Sequence, residues 1–119
     1  NASLVMRLRY GERTIIFTGD IEAAAESGVL RISDQLRTDV VKVAHHGSKT
    51  SSTRSFVNAM SPRLAVISVG QTSIFGHPHK EVVERWKAAG ATVLTTGQSG
   101  MITIVTDGRT LGVETFARE

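Results

Sequence analysis

Two rhythms of apolar and polar residues run along this chain. Residues 3–10 (SLVMRLRY) are apolar with polar interruptions and read as a strand. After a turn at Gly11-Glu12, residues 14–18 (TIIFT) are β-branched and apolar, which predicts a buried strand paired back as a hairpin. Residues 39–44 (DVVKVA), 64–69 (LAVISV), 91–96, 101–106 and 110–116 repeat the strand signal, with LAVISV apolar enough for a central strand. The last two join at Asp107-Gly108.

Between these runs the rhythm lengthens to that of a helix. Residues 20–27 (DIEAAAES) are rich in good helix formers, and Gly28 reads as a stop. Residues 53–60 form a second short helix, with Ser51 or Ser52 as N-cap and Pro62 beyond its end. A third runs from Pro78 to Ala89, with Val82, Val83, Trp86 and Ala89 on its inner stripe. Glu81 and Arg85 are spaced to pair on its outer side, and Gly90 closes it. Strands alternating with helices and ending in a hairpin predict an α/β layered fold, in which ligands gather where strands give way to loops.

Composition narrows the picture only modestly. The 119 residues are 40% hydrophobic and 21% charged, as in ordinary globular domains, and suffice for one domain. No apolar run reaches the length of about 18 residues that a membrane helix needs, so the segment reads as a soluble domain. There is no cysteine, so thiolate ligands and disulfides are absent. A net charge of +3 favours an anionic partner.

Candidate chemistry lies in three stretches that each follow a predicted strand. They are Thr18-Gly19-Asp20, His45-His46-Gly47-Ser48 and Gly76-His77-Pro78-His79. Imidazole and carboxylate are the usual ligands of zinc and similar ions, and all four histidines fall in two of these stretches. Each has a plainer explanation when taken singly. Asp20 is a good helix cap, His79 faces solvent in a first helical turn, and the serines and Thr50 after His46 can cap a helix. The phosphate-cradling G-x-x-x-x-G-K-[ST] and G-x-G-x-x-G patterns do not occur, nor does the G-x-S-x-G nucleophile elbow. A triad of Ser48, His45 and Asp20 has no support from spacing.

Taken together, "SLVMRLRYGERTIIFTGDIEAAAE", "DVVKVAHHGSKTSS", "PRLAVISVG" and "FGHPHKEVVERWKAAGATVLTTGQSGMITI" resemble the C-terminal metallo-β-lactamase-type domain of the ComEC family of competence proteins, which import DNA during natural transformation. The resemblance implies a four-layer αβ/βα sandwich built from two similar halves, with a site for two divalent metal ions, zinc or manganese, between them. It places Asp20 on the aspartate that bridges the ions and His45 on the last metal-binding histidine, with His46 as the alternative ligand. By the same resemblance His46 otherwise orients its neighbour or meets the substrate, and His77 touches metal or substrate phosphate. Asp20, His46 and His77 are the catalytic candidates, and Ser48, Lys49 and His77 the substrate-binding ones.

One departure is large. The family's first-half signature, H-x-H-x-D-H, does not occur, and it supplies most of the metal ligands. Residues 1–119 are therefore expected to be the C-terminal half of such a domain, an α/β unit whose mixed sheet carries helices on one face. Its other face is expected to be apolar and to meet the missing N-terminal half or, failing that, a second copy in a homodimer. The implied activity is that of a metal-dependent phosphodiesterase or nuclease acting on single-stranded DNA, in a parent protein of the inner membrane, with the isolated segment inactive. Two alternatives are another hydrolase of the superfamily, a phosphoesterase or lactonase, and a non-catalytic DNA-binding module.

Overall fold

The computed structural model describes residues 5–19, 23–32, 36–43, 51–69 and 78–116. The chain begins with the antiparallel pair β1 (Met6–Tyr10) and β2 (Arg13–Phe17), followed by α1 (Ala23–Ile32) and β3 (Val40–Lys42). Next come α2 (Arg54–Met60), β4 (Leu64–Ile67), α3 (Lys80–Ala88), β5 (Thr92–Thr95) and the single turn α4 (Thr96–Ser99). The hairpin of β6 (Ile102–Thr106) and β7 (Leu111–Thr115) ends the described chain. The first five strands form one sheet in sequence order, and β2 to β5 are parallel. Parallel neighbours require crossovers, and α1, α2 and α3 supply them.

Register decides which side chains share a face. Ile16, Val41, Ala65 and Val93 lie abreast, and with Val43 and Ile67 they form the face that meets the helices. Phe56, Val57 and Met60 of α2 and Val82 and Trp86 of α3 close this core. Val83 and Ala89 pack at its margin, so the predicted inner stripe of α3 is the observed one. Mixed sheet and helices on one face are thus as the sequence implies.

The opposite face carries Ile15, Val40 and Leu64 in one row and Phe17, Val66 and Leu94 in the next. It is not bare, contrary to the simple expectation. Ile102, Ile104 and Leu111 of the hairpin pack against Val40, Leu64 and Val66 there. A mostly apolar cleft of about 480 Å³ remains between Leu64 and Leu94 on the sheet and Ile104 and Val113 on the hairpin. Beyond the hairpin's reach, Met6, Leu8 and Phe17 stay exposed on the same face.

Two turns fasten the layers together. The Glu12 amide donates to the Gly108 carbonyl at 2.6 Å, and Arg13 Nε donates to the Arg109 carbonyl at 2.6 Å. Gly11 has φ +59°, and a Cβ there would meet the Gly108 backbone at 2.7 Å, so neither its conformation nor its surroundings admit a side chain. In the β6–β7 turn Asp107 accepts from the Thr110 amide at 2.8 Å and the Arg109 amide at 2.9 Å. Those bonds, the Thr110 amide foremost, hold its carboxyl below the usual carboxylate range.

Three local expectations need correction. α1 runs through Gly28 to Ile32, because burying Val29 and Leu30 against the core outweighs the glycine's cost of about 1 kcal/mol. α3 starts at Lys80, not Pro78, and its N-cap is His79 with an extended backbone. The His79 carbonyl accepts the first helical bonds, from Val82 and Val83, and its side chain is half-buried, not turned to solvent. Neither Ser51 nor Ser52 caps α2. Thr53 holds that position without a side-chain cap bond. Among the described residues no helix is long and apolar enough to cross a membrane.

Candidate functional site at the strand ends

The parallel strands β2, β3 and β4 lie side by side, and their carboxy ends lead into the three motif-bearing segments. β2 ends at Phe17 and runs through Thr18 and Gly19 toward Asp20. β3 ends at Lys42, directly abreast of Phe17, and runs through Val43 toward His45 and His46. β4 ends at Ile67 and continues through Ser68 and Val69 toward residues 70–77. Asp20, His45, His46, Ser48, Lys49 and His77 themselves lie outside the described residues. Strand order and register bring the described residues that lead to them, Gly19, Val43 and Val69, to the same end of neighbouring strands. Among the described residues no group of three or more His, Cys, Asp or Glu is placed to hold a metal ion.

The anchors of those segments are well defined. Thr18 is buried, and its hydroxyl donates to the Lys42 carbonyl at 2.5 Å, joining the exits of β2 and β3. Gly19 follows with φ +58°, a turn away from the strand that glycine adopts freely. The Val43 amide donates to the Val66 carbonyl at 2.8 Å, extending the β3–β4 pairing by one residue. At the exit of β4, the Thr96 hydroxyl accepts from the Val69 amide at 2.8 Å and donates to the Val69 carbonyl at 2.9 Å. Thus β2, β3 and β4 each have a fixed last residue before the motif begins.

Ser52 and Thr53, which follow the His45-His46 segment in sequence, are fixed by side chains that sequence reasoning passed over. Glu26 of α1 is fully buried and accepts from the amides of Ser52 and Thr53 at 2.5 and 2.8 Å. Arg85 Nη1 donates to the Ser52 carbonyl at 2.6 Å, and Trp86 Nε1 donates to the Ser52 hydroxyl at 3.2 Å. Arg85 is therefore used inward, and no ion pair with Glu81 forms. In the sequence Glu26 is one of three acids in DIEAAAES, a pattern that equally describes a solvent-facing residue.

Away from the strand ends, a polar cleft of about 290 Å³ lies along the exposed edge strand β1. Arg7, Arg9 and Arg37 line it. Asp39 in the same cleft is already matched by Arg13 at 3.2 Å and by the Thr14 amide at 2.9 Å. No ion pair joins Arg7, Arg9 or Arg37 to an acid among the described residues. A wider groove, about 990 Å³, lies on the outer side of α2 and α3, between Arg54, Asn58, Lys80 and Glu84, with His79 also in its lining.

Residues 1–71 match the family model described as the metallo-beta-lactamase superfamily. The ComE operon protein 3 of Bacillus subtilis is 37% identical over 102 residues, covering 86% of this chain and 13% of that protein. The competence protein ComA of Neisseria gonorrhoeae is 36% identical over 101 residues, covering 84% of this chain and 15% of that protein. The recombination protein 2 of Haemophilus influenzae is 33% identical over 102 residues, covering 86% and 13% respectively. The chain thus spans about one-seventh of the length of these relatives.

Proposed function

Since the chain belongs to the metallo-β-lactamase superfamily, with ComEC-type competence proteins among its relatives, we propose that it forms one wall of a two-metal phosphodiesterase site that acts on DNA during uptake. The observation that carries this reading is the adjacency of the β2, β3 and β4 carboxy ends, from which all three motif segments depart. Asp20 and His45 would hold the ions, with His46 or His77 completing or orienting the set. When bound, two divalent cations supply charge neutralisation at phosphorus and lower the pKa of water. Ser48, Lys49 and His77 would bind the phosphate oxygens, and Lys49 adds a positive charge beside the transferring group.

Two dications need more donors than one carboxylate and two or three imidazoles. The opposite wall is therefore assigned to the H-x-H-x-D-H half of the same domain. The face bearing Met6, Leu8 and Phe17 suits that half, or a second copy in its absence. Isothermal calorimetry of residues 1–119 with zinc or manganese is expected to give no tight two-site binding; stoichiometric binding of two ions would refute the half-site reading. The parent is proposed to be a membrane protein.

The arginine-lined edge of β1 supports a polyanionic substrate. Alternate residues on one side of a strand stand about 6.6 Å apart, so Arg7 and Arg9 offer successive contacts to a backbone of phosphates. This edge would equally serve a module that holds DNA without cutting it. The deciding experiment restores the upstream half and compares manganese-dependent cleavage of single-stranded DNA with that of small phosphodiesters and lactones, before and after Asp20→Ala. Loss of DNA cleavage with DNA binding retained is the expected result. Preference for a small ester or lactone would move the assignment to another hydrolase of the superfamily. DNA binding without cleavage by the unaltered protein would leave the non-catalytic module.

A further inference from the structure

Glu26 is an unusual group for a small fold, a carboxylate with no solvent exposure in the first turn of a helix. Such a group is tolerated when its oxygens are satisfied. Here both oxygens are used, and both partners are backbone amides 26 and 27 residues away in sequence. Helix capping alone does not require this. A side chain at the cap position would do it locally, yet Thr53 makes no such bond.

Ser52 is the second observation. Its φ of +60° is left-handed, a backbone state that a residue with a Cβ adopts only when its surroundings impose it. Those surroundings are explicit. The Ser52 amide is taken by Glu26, its carbonyl by Arg85 and its hydroxyl by Trp86. Every polar group of this residue is held by a side chain from α1 or α3, and the residue is buried. Residue 52 closes the segment that carries His45, His46 and Ser48, while α1 is the helix that follows Asp20.

We propose that Glu26, with Ser52 as its counterpart, is a positioning clamp that sets the Asp20-bearing and His45-bearing segments at a fixed separation. The proposal rests on the two-metal reading above and adds the residue that holds this wall together. Glu26 touches neither metal nor substrate; it acts through the backbone of Ser52 and Thr53. Outer partners of this kind commonly change metal affinity 10- to 100-fold when lost.

The test uses Glu26→Gln, which keeps the size but turns an NH2 donor toward one of the two amides. Val57→Ala, a core truncation in α2 just beyond Ser52 and Thr53, serves as the comparison. In residues 1–119, amide exchange in segment 44–53 should quicken about tenfold or more in Glu26→Gln, with Thr92–Thr95 and Ile102–Thr106 unchanged. Val57→Ala should lower protection throughout. Uniform loosening in Glu26→Gln, or no change in segment 44–53, overturns the clamp. Should Glu26→Gln fail to fold, Ser52→Ala removes only the Trp86 contact and should quicken the same segment about threefold; unchanged exchange there overturns the clamp too. With the upstream half restored, manganese affinity should fall about 10- to 100-fold in Glu26→Gln and stay near the unaltered value in Val57→Ala. Equal affinity in Glu26→Gln and the unaltered domain overturns the clamp. An unaltered domain that binds no manganese refutes the two-metal reading instead, and the exchange measurement then decides the clamp alone.

Discussion

The two faces of the five-stranded sheet are built from the same strands in the same register, yet they end differently. On the helix side, Ile16, Val41, Ala65 and Ile67 are at most 1% exposed, and so are Phe56, Val57, Met60, Val82 and Trp86 above them. On the other side, Val40, Leu64 and Val66 are covered by a separate hairpin that leaves a cleft, and Met6 and Leu8 are each 50% exposed. Topology explains the contrast. Parallel strands cannot be joined without crossovers, so the helices seal their face as part of making the sheet. The far face has no such guarantee and depends on whatever chain reaches it. Cohesion therefore resides on the helix side, and the exposed apolar surface lies opposite.

Truncations on the two sides should differ in cost. Trp86→Ala should lower unfolding free energy by about 3–5 kcal/mol, read by denaturant titration. Leu64→Ala should cost about 2–3 kcal/mol, because Ile104 and Leu111 can settle into the cleft. Equal losses would break the comparison. Smaller in stability but more telling is the pair Leu8→Lys and Phe17→Lys. Folding should change by no more than about 0.5 kcal/mol per site, while self-association at high concentration, followed by sedimentation, should fall. Association that survives both charges would remove this face as the contact.

Charge reversal at Arg7 and Arg9 sharpens the contrast along the sheet's edge. The slope of log affinity for single-stranded DNA against log salt should lessen by about 1.4, or roughly 0.7 per lost phosphate contact. An unchanged slope would make those arginines mere protection of an edge strand. The smallest effect belongs to the hairpin turn. The folded pKa of Asp107 is depressed, so its contribution is present above the unfolded value and is lost as pH falls through the lowered folded value. The Thr110 amide resonance should report that loss on acidification and become insensitive in Asp107→Asn.

Strand positions and the inner stripe of α3 were readable because they depend on local periodicity. The first four residues of LAVISV became β4, and Val82 and Trp86 became core. The TGD and HHGS motifs marked segments that leave neighbouring strand ends, which the order β2-β3-β4 provides. Partners remote in sequence were not readable. Arg85 has Glu81 one turn away, yet it turns to a carbonyl 33 residues back. Glu26 looks like a surface acid until the entry to α2 brings the Ser52 and Thr53 amides to it. Gly28 reads as a terminator only while the burial of Val29 and Leu30 is unknown.

The contact between the turns at Gly11 and Gly108 has a kinetic consequence. It joins positions remote in sequence, so it cannot form until the intervening strands and helices have collapsed, and such non-local closures come late. The earlier of the two turns waits, during synthesis, for the later one. Until they meet, the row of Val40, Leu64 and Val66 is open to any other apolar surface nearby, which makes the nascent second layer the moment of greatest risk for mispairing.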